Sequence, residues 1–159
     1  MNRMVKNSLR AFTLIEVLIV VVILGILAAV AVPKFATASD DAKTSAVQSS
    51  VAGVRSAIAT YRTSAVIQGN DPYPTLAQLG DGSVLKFDVP INPFTDVGGI
   101  QAVSQNQAAA RAVVSPDSYG WNYFVDNSAN PPTAIFYSNT NSPTTASDGA
   151  GGTLSANEL

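Results

Sequence analysis

Neither cysteine nor histidine occurs anywhere in the 159 residues. Without cysteine there is no disulfide, no thiolate nucleophile and no Cys-ligated zinc. The compartment stays open, because an oxidising one permits disulfides without requiring them. Without histidine the commonest general base and the commonest metal ligand are missing. Charge is sparse as well: Asp, Glu, Lys and Arg make up 13% of the chain, about half of the usual ~25%. The net charge of -2 gives no general attraction to nucleic acid or anionic lipid. There is no phosphate-cradling glycine loop, no pair of catalytic carboxylates and no nucleophile motif. The composition therefore points away from an enzyme; no catalytic residue and no nucleotide site is expected.

What the chain does have is one early apolar block. Met1 to Ala11 is short and basic, with Arg3, Lys6 and Arg10 and no acid. Phe12-Thr13-Leu14-Ile15-Glu16 follows, and then an apolar run from Val17 to Val32. As a helix, the roughly 21 residues from Phe12 to Val32 would extend about 31 Å, enough for a hydrocarbon core of about 30 Å. The basic flank comes first, so the positive-inside rule places Met1 in the cytoplasm and the rest beyond the membrane. A secretory signal peptide has a shorter apolar region, about 7–15 residues, ending in a small-residue cleavage site. An ordinary single-pass anchor explains the length but leaves Glu16 unexplained. A carboxylate inside an apolar span costs roughly 2.5–3.5 kcal/mol near the bilayer centre and marks a functional group in need of a partner. No Lys or Arg lies in the span to serve. A cut between Ala11 and Phe12 would create an α-amine one helical turn from Glu16, in the same chain or a neighbouring one. Pairing in a low-dielectric setting would then offset desolvation and fix axial register.

Ala11-Phe12-Thr13-Leu14-Ile15-Glu16-Val17, continued by Ile23-Leu24-Gly25-Ile26-Leu27-Ala28-Ala29-Val30-Ala31-Val32-Pro33, resembles the class III signal of type IV pilins and type II secretion pseudopilins. The match covers about the first quarter of the chain. The resemblance implies that Ala11 is the last residue of a leader removed by prepilin peptidase. It implies that Phe12 becomes an N-methylated N-terminus and that Glu16 registers subunits. Gly25 and Pro33 would flank a stretch where the helix softens in filaments; interior Gly and Pro independently disfavour helix by about 1 and 3 kcal/mol relative to Ala. One departure stands out: the family usually carries Gly where this chain has Ala11.

Beyond Pro33, Val47, Val51, Val54, Ile58, Tyr61 and Ala65 recur at steps of four and three, the apolar stripe of an amphipathic helix. Asp40, Asp41, Lys43, Gln48, Arg55 and Arg62 lie off it. One helix is expected from about Phe12 to about Ile67, ending before Gly69-Asn70-Asp71-Pro72. Tyr73 to Leu79 reads as a turn and short helix, with a short strand near Lys86 to Val89. Tyr73-Pro74-Thr75 and Val89-Pro90-Ile91-Asn92-Pro93-Phe94 resemble stretches of major pseudopilins, more loosely than the first match. Gln101 to Arg111 reads as a loop or short helix. Gly120 to Val125 and Thr133 to Ser138 are aromatic, β-prone strands around an Asn- and Pro-rich hairpin loop. The fold class expected is α+β, the pilin fold: a long N-terminal helix, half transmembrane and half amphipathic, packed on a small antiparallel sheet of three or four strands. In segments, this gives a leader over 1–11, a transmembrane and filament-core helix over 12–33 and an amphipathic helix over 34–67. A globular domain follows over 68–138. A polar tail over 139–159 is expected to be exposed or partly disordered.

Of Trp121 and Tyr123, one is expected in the core and the other in cross-strand packing rather than at a ligand surface. Major pseudopilins often bind calcium near the C-terminus. The carboxylates available for that are Asp117, Asp126 and Asp148, with Asn127 nearby, but their spacing is not that of a standard calcium loop. They read first as solvated loop residues, so no resident cofactor is expected. The function implied is that of a filament subunit, above all a major pseudopilin of type II secretion. A surface type IV pilin for adhesion, motility or DNA uptake is the neighbouring reading; a single-pass anchored binding module is the reading from another class. The implied partners are further copies of the chain, prepilin peptidase, inner-membrane lipid before assembly, and an inner-membrane platform driven by a separate ATPase, with no direct nucleic-acid contact. The implied location is the inner membrane, then a periplasmic or extracellular filament.

Overall fold

The computed structural model describes residues 12–159. It divides into two compact units, one ending at Ala38 and the other Ser39–Leu159. Helix α1, Leu14–Gln68, supplies backbone to both. It passes Gly25 and Pro33 without interruption, although Pro33 has no N–H for the helical ladder. The end of α1 is set by backbone geometry. Gly69 takes φ 73, Gly69 N–H donates to Val66 O at 3.2 Å, and Asn70 N–H to Ala65 O at 2.9 Å. Those two bonds satisfy carbonyls left over at a helix end, and the left-handed residue between them is one that glycine adopts without strain.

The Ser39–Leu159 unit is built on the valine stripe of α1. Val47, Val51, Val54, Ile58 and Ala65 are buried, and Tyr61 is half-buried. The period expected from sequence is thus the packed one. After α1 come α2, Leu76–Gly80; β1, Ile100–Ala102; and α3, Gln105–Ala109. β2, Trp121–Asp126, and β3, Thr133–Ser138, follow, then β4, Pro143–Ser147, and β5, Thr153–Ser155. Both short helices open on reciprocal capping boxes, Thr75 with Gln78 and Ser104 with Gln107, which satisfy otherwise orphaned N–H groups.

β2 and β3 form the expected antiparallel hairpin, from Trp121 opposite Ser138 to Asp126 opposite Thr133. The sheet is mixed rather than wholly antiparallel, because β1 pairs parallel to β2. A parallel neighbour needs a crossover, and the segment carrying α3 provides it. Three further expectations are corrected. Lys86 to Val89 forms no strand; the run ends at Pro90, which has no N–H to donate to a ladder. Gln101 to Arg111 does hold a short helix, α3, but its first two residues, Gln101 and Ala102, belong to β1. The 139–159 segment is a folded part of the unit. It carries the β4–β5 pair, and Asn139, Thr144 and Ala156 are buried. Its polar composition hid this, because its burial rests on hydrogen bonds, such as Thr144 Oγ1 to Leu154 O at 2.6 Å.

The main core joins the α1 stripe to Leu79, Leu85, Trp121, Tyr123 and Phe136. Trp121 and Tyr123 stand two apart in β2 and so share a face; both are buried, at 0% and 1% exposure. Trp121 stacks on Phe136 with centroids 5.6 Å apart, worth about 0.5–1.5 kcal/mol beyond area burial. Their polar ends are satisfied by backbone: Trp121 Nε1 donates to Pro90 O and Tyr123 Oη to Pro74 O, each at 2.8 Å. Gly120 enters β2 against Val97; a Cβ there would stand 2.1 Å from Val97 O.

Candidate functional site

From Phe12 to Phe35 the large apolar side chains are at least half exposed, with Phe12 at 86%, Ile15 at 65% and Leu27 at 60%. The most apolar 18-residue window of α1 has a mean hydropathy of 3.1, and none of it is buried. Length and composition suit a membrane span. At about 25 cal/mol per Å² of apolar surface, so bare a helix end is strongly driven out of water, into lipid or against other helices. The only charged side chains between Phe12 and Ser39 are Glu16 and Lys34.

Glu16 sits at the very start of α1. Its Oε2 accepts from Thr13 N–H and Thr13 Oγ1, each at 2.9 Å, and Glu16 N–H returns a bond to Thr13 Oγ1 at 3.3 Å. Thr13 and Glu16 thus form a capping box, which favours the helix start and brings a negative charge to the positive end of the helix dipole. Thr-x-x-Glu before an apolar run is the sequence signature of this device. Phe12 lies one residue before the cap. Ala11 and the basic leader lie outside the described residues.

The acids weighed for calcium do not assemble. Asp126 Oδ1 accepts from Ser128 N–H at 2.9 Å, Ser128 Oγ at 2.6 Å and Ala129 N–H at 3.0 Å. Asp148 Oδ1 accepts from Ala150 N–H at 2.7 Å and Gly152 N–H at 2.9 Å. These bonds hold both carboxyls below the usual aspartate range, through Ser128 for Asp126 and the Ala150 and Gly152 amides for Asp148. Asp117 is exposed in a separate loop, and no group of three potential ligands gathers among the described residues. A calcium ion needs six to eight oxygens, so these residues do not fit it. The polar groups that organise this region are amides. Asn139 Nδ2 donates to Val114 O and Tyr119 O, each at 2.7 Å, while its Oδ1 accepts from Val114 N–H and Asn122 Nδ2, each at 2.8 Å. Asn122 Oδ1 in turn accepts from Gln101 Nε2 at 2.8 Å. Nothing in their spacing announced that these side chains would meet.

A bare apolar helix end on a chain whose folded unit is a small mixed sheet packed on the helix's own continuation is the architecture of a pilin-like subunit. Comparison with known proteins narrows the class. Residues 6–32 match the model of the prokaryotic N-terminal methylation motif. The chain is 36% identical over 118 residues to Type II secretion system core protein G of Klebsiella michiganensis, an alignment covering 72% of this chain and 80% of that one. It is 36% identical over 75 residues to the protein of the same name from Pseudomonas aeruginosa, covering 47% of this chain and 49% of the relative. It is 52% identical over 50 residues to Type IV narrow pilus major component PilA5 of Thermus thermophilus, covering 31% and 43%. No solved structure matches. The chain belongs to the type IV pilin and type II secretion pseudopilin family.

Proposed function

We propose that this chain is a major pseudopilin of type II protein secretion, cut between Ala11 and Phe12, methylated on Phe12, and polymerised through the apolar end of α1. The observation that carries the reading is the helix end itself: apolar and uncovered from Phe12 to Phe35, with one carboxylate a single turn from Phe12. A membrane satisfies such a surface before assembly, and like helices satisfy it afterwards. The capping box supports a role for Glu16 in two states. In the single chain its carboxylate closes on Thr13; in a filament the α-amine of a neighbouring Phe12 competes for the same oxygens. An ammonium is the stronger partner where water is excluded, because it brings a full opposite charge at low dielectric, whereas Thr13 offers the carboxylate only neutral donors.

The extent of the Klebsiella match favours a pseudopilus over a surface pilus. Its 118 aligned residues exceed the 55 of α1, so the likeness reaches well into the folded unit. The PilA5 match spans 50 residues and needs no more than the helix. Energy for assembly comes from a separate ATPase on an inner-membrane platform, since the sequence has no nucleotide site. Mass spectrometry of the protein purified from its membrane tests the processing: a mature chain beginning at methylated Phe12 is expected, and an intact Met1 overturns it. Electron microscopy of cells overproducing the chain tests the polymer.

A further inference from the structure

The Ser39–Leu159 unit has five basic residues, Lys43, Arg55, Arg62, Lys86 and Arg111. Three of them, Arg55, Arg62 and Arg111, line one pocket of about 370 Å³ beside the upper part of α1. Like charges gathered in this way repel, and burial adds to the cost: desolvation and the nearby Arg111 charge both lower the pKa of Arg55. The chain meets only part of this donor capacity. Arg55 Nη2 donates to Phe136 O at 3.1 Å and to Leu159 O at 2.8 Å. Arg62 and Arg111 lie over the rings of Tyr73 and Tyr137, at 5.0 and 5.2 Å, and Arg111 Nη1 is buried with no hydrogen-bond partner. Two acidic groups of the chain already line the pocket. The carboxyl of Leu159, the last residue of the sequence, takes the Arg55 bond through its O, and Glu158 is committed to its own turn through Ser155 N–H and Oγ, at 2.7 and 2.6 Å, which leaves Arg62 and Arg111 without a carboxylate partner among the described residues. The arrangement suits a carboxylate brought from outside, since guanidinium forks match carboxylates bidentately.

The opposite charge stands lower on the same helix. Asp41, Gln48, Arg55 and Arg62 recur every seven residues and so keep to one side of α1, drifting about 20° per heptad. Asp40 and Asp41 are exposed and are the only acids between Glu16 and Asp71. The stripe is therefore acidic at one end and basic at the other, 14 to 21 residues apart, about 21–32 Å along the axis. Copies inserted through one membrane all point the same way. Side by side they would set acid against acid, whereas a stagger of this length sets acid against arginine.

We infer that the arginine pocket receives the Asp40–Asp41 carboxylates of a second copy of this chain, making it a second point of axial registration far above Glu16. The inference rests on the filament reading, and the test keeps the two apart. Reversing one side, as Asp41→Arg or as Arg62→Glu, is expected to lower filament yield about tenfold or more, the loss of a charge pair closed between two copies. Combining Asp41→Arg with Arg62→Glu is expected to recover most of the yield, because the two sides of that one pair are then reversed together while Asp40, Arg55 and Arg111 stay as they are. The cysteine-free background supplies a direct readout. Asp40→Cys with Ala59→Cys, which leaves Asp41 and all three arginines in place, is expected to give a ladder of linked copies with a short bismaleimide, and each single cysteine no more than dimers. Filaments that form normally but give no ladder, or that tolerate either reversal, overturn the pocket pairing and leave the filament reading standing. Loss of yield in the reversals without recovery in the combination also overturns it. Failure of the unaltered chain to form filaments overturns both.

Discussion

The two units of this molecule draw different solutions from one continuous helix. Up to Ala38, α1 buries nothing and offers apolar side chains on all faces. From Ser39 onward it buries a narrow valine stripe and turns Asp, Gln and Arg outward. The first solution leaves the hydrophobic requirement to be met by something outside the chain; the second meets it within the chain. Stability and assembly are thereby separable, and mutations in one unit are expected to spare the property of the other.

The sharpest separation is a chain that starts at Ser39. Its core cluster is intact, so it is expected to fold, to leave the membrane fraction entirely and to form no filament; gel filtration and circular dichroism check this. A Ser39 chain that still sediments with membranes would break the comparison. Next comes Glu16→Ala. Filament yield is expected to fall to background while membrane insertion and the melting of the folded unit stay unchanged. Wild-type assembly in that variant would remove the registration argument.

Trp121→Ala makes the opposite cut. Removing a fully buried indole costs about 3–5 kcal/mol and also frees the Pro90 carbonyl, so the melting temperature of the folded unit falls while membrane insertion persists. Asn139→Ala is smaller. It strands Val114 N–H and the carbonyls of Val114 and Tyr119, at roughly 1–3 kcal/mol in buried surroundings, read by denaturant titration. The smallest effect concerns Asp148. Its folded pKa is depressed by backbone N–H bonds, so its contribution is present above the unfolded value near 4 and lost as pH falls through the lower folded value. Asp148→Asn is thus expected to flatten the acid limb of the stability–pH curve below about pH 4. Adding calcium or a chelator at neutral pH should shift neither protein's melting temperature; a calcium-dependent rise in wild type would restore these acids as ligands.

Periodicity made much of the fold legible. The positions that α1 buries are those spaced at three and four, and the aromatic hairpin falls where β-prone runs flank an Asn- and Pro-rich turn. Signals that depend on non-local pairing were not legible. Ile100 to Ala102 has no strand pattern of its own and becomes a strand by lying parallel to Trp121 to Tyr123. The 139–159 segment looked unstructured because hydropathy does not register the hydrogen bonds that fold it. The candidate site divides in the same way: Phe12 and Glu16 were marked by a local motif, whereas Arg55 and Arg111 meet across 56 positions of sequence (111 minus 55).

By itself, the sequence determined the bare apolar helix, its single acid and the valine stripe above it, because helix formation and hydrophobic spacing are local properties. Tertiary structure alone decided that amides rather than carboxylates would bind the loop over residues 112–120, and that three arginines would converge on one pocket. Those outcomes depend on which backbone groups and charges the sheet brings within hydrogen-bonding and Coulombic range, a distance that chain order does not encode.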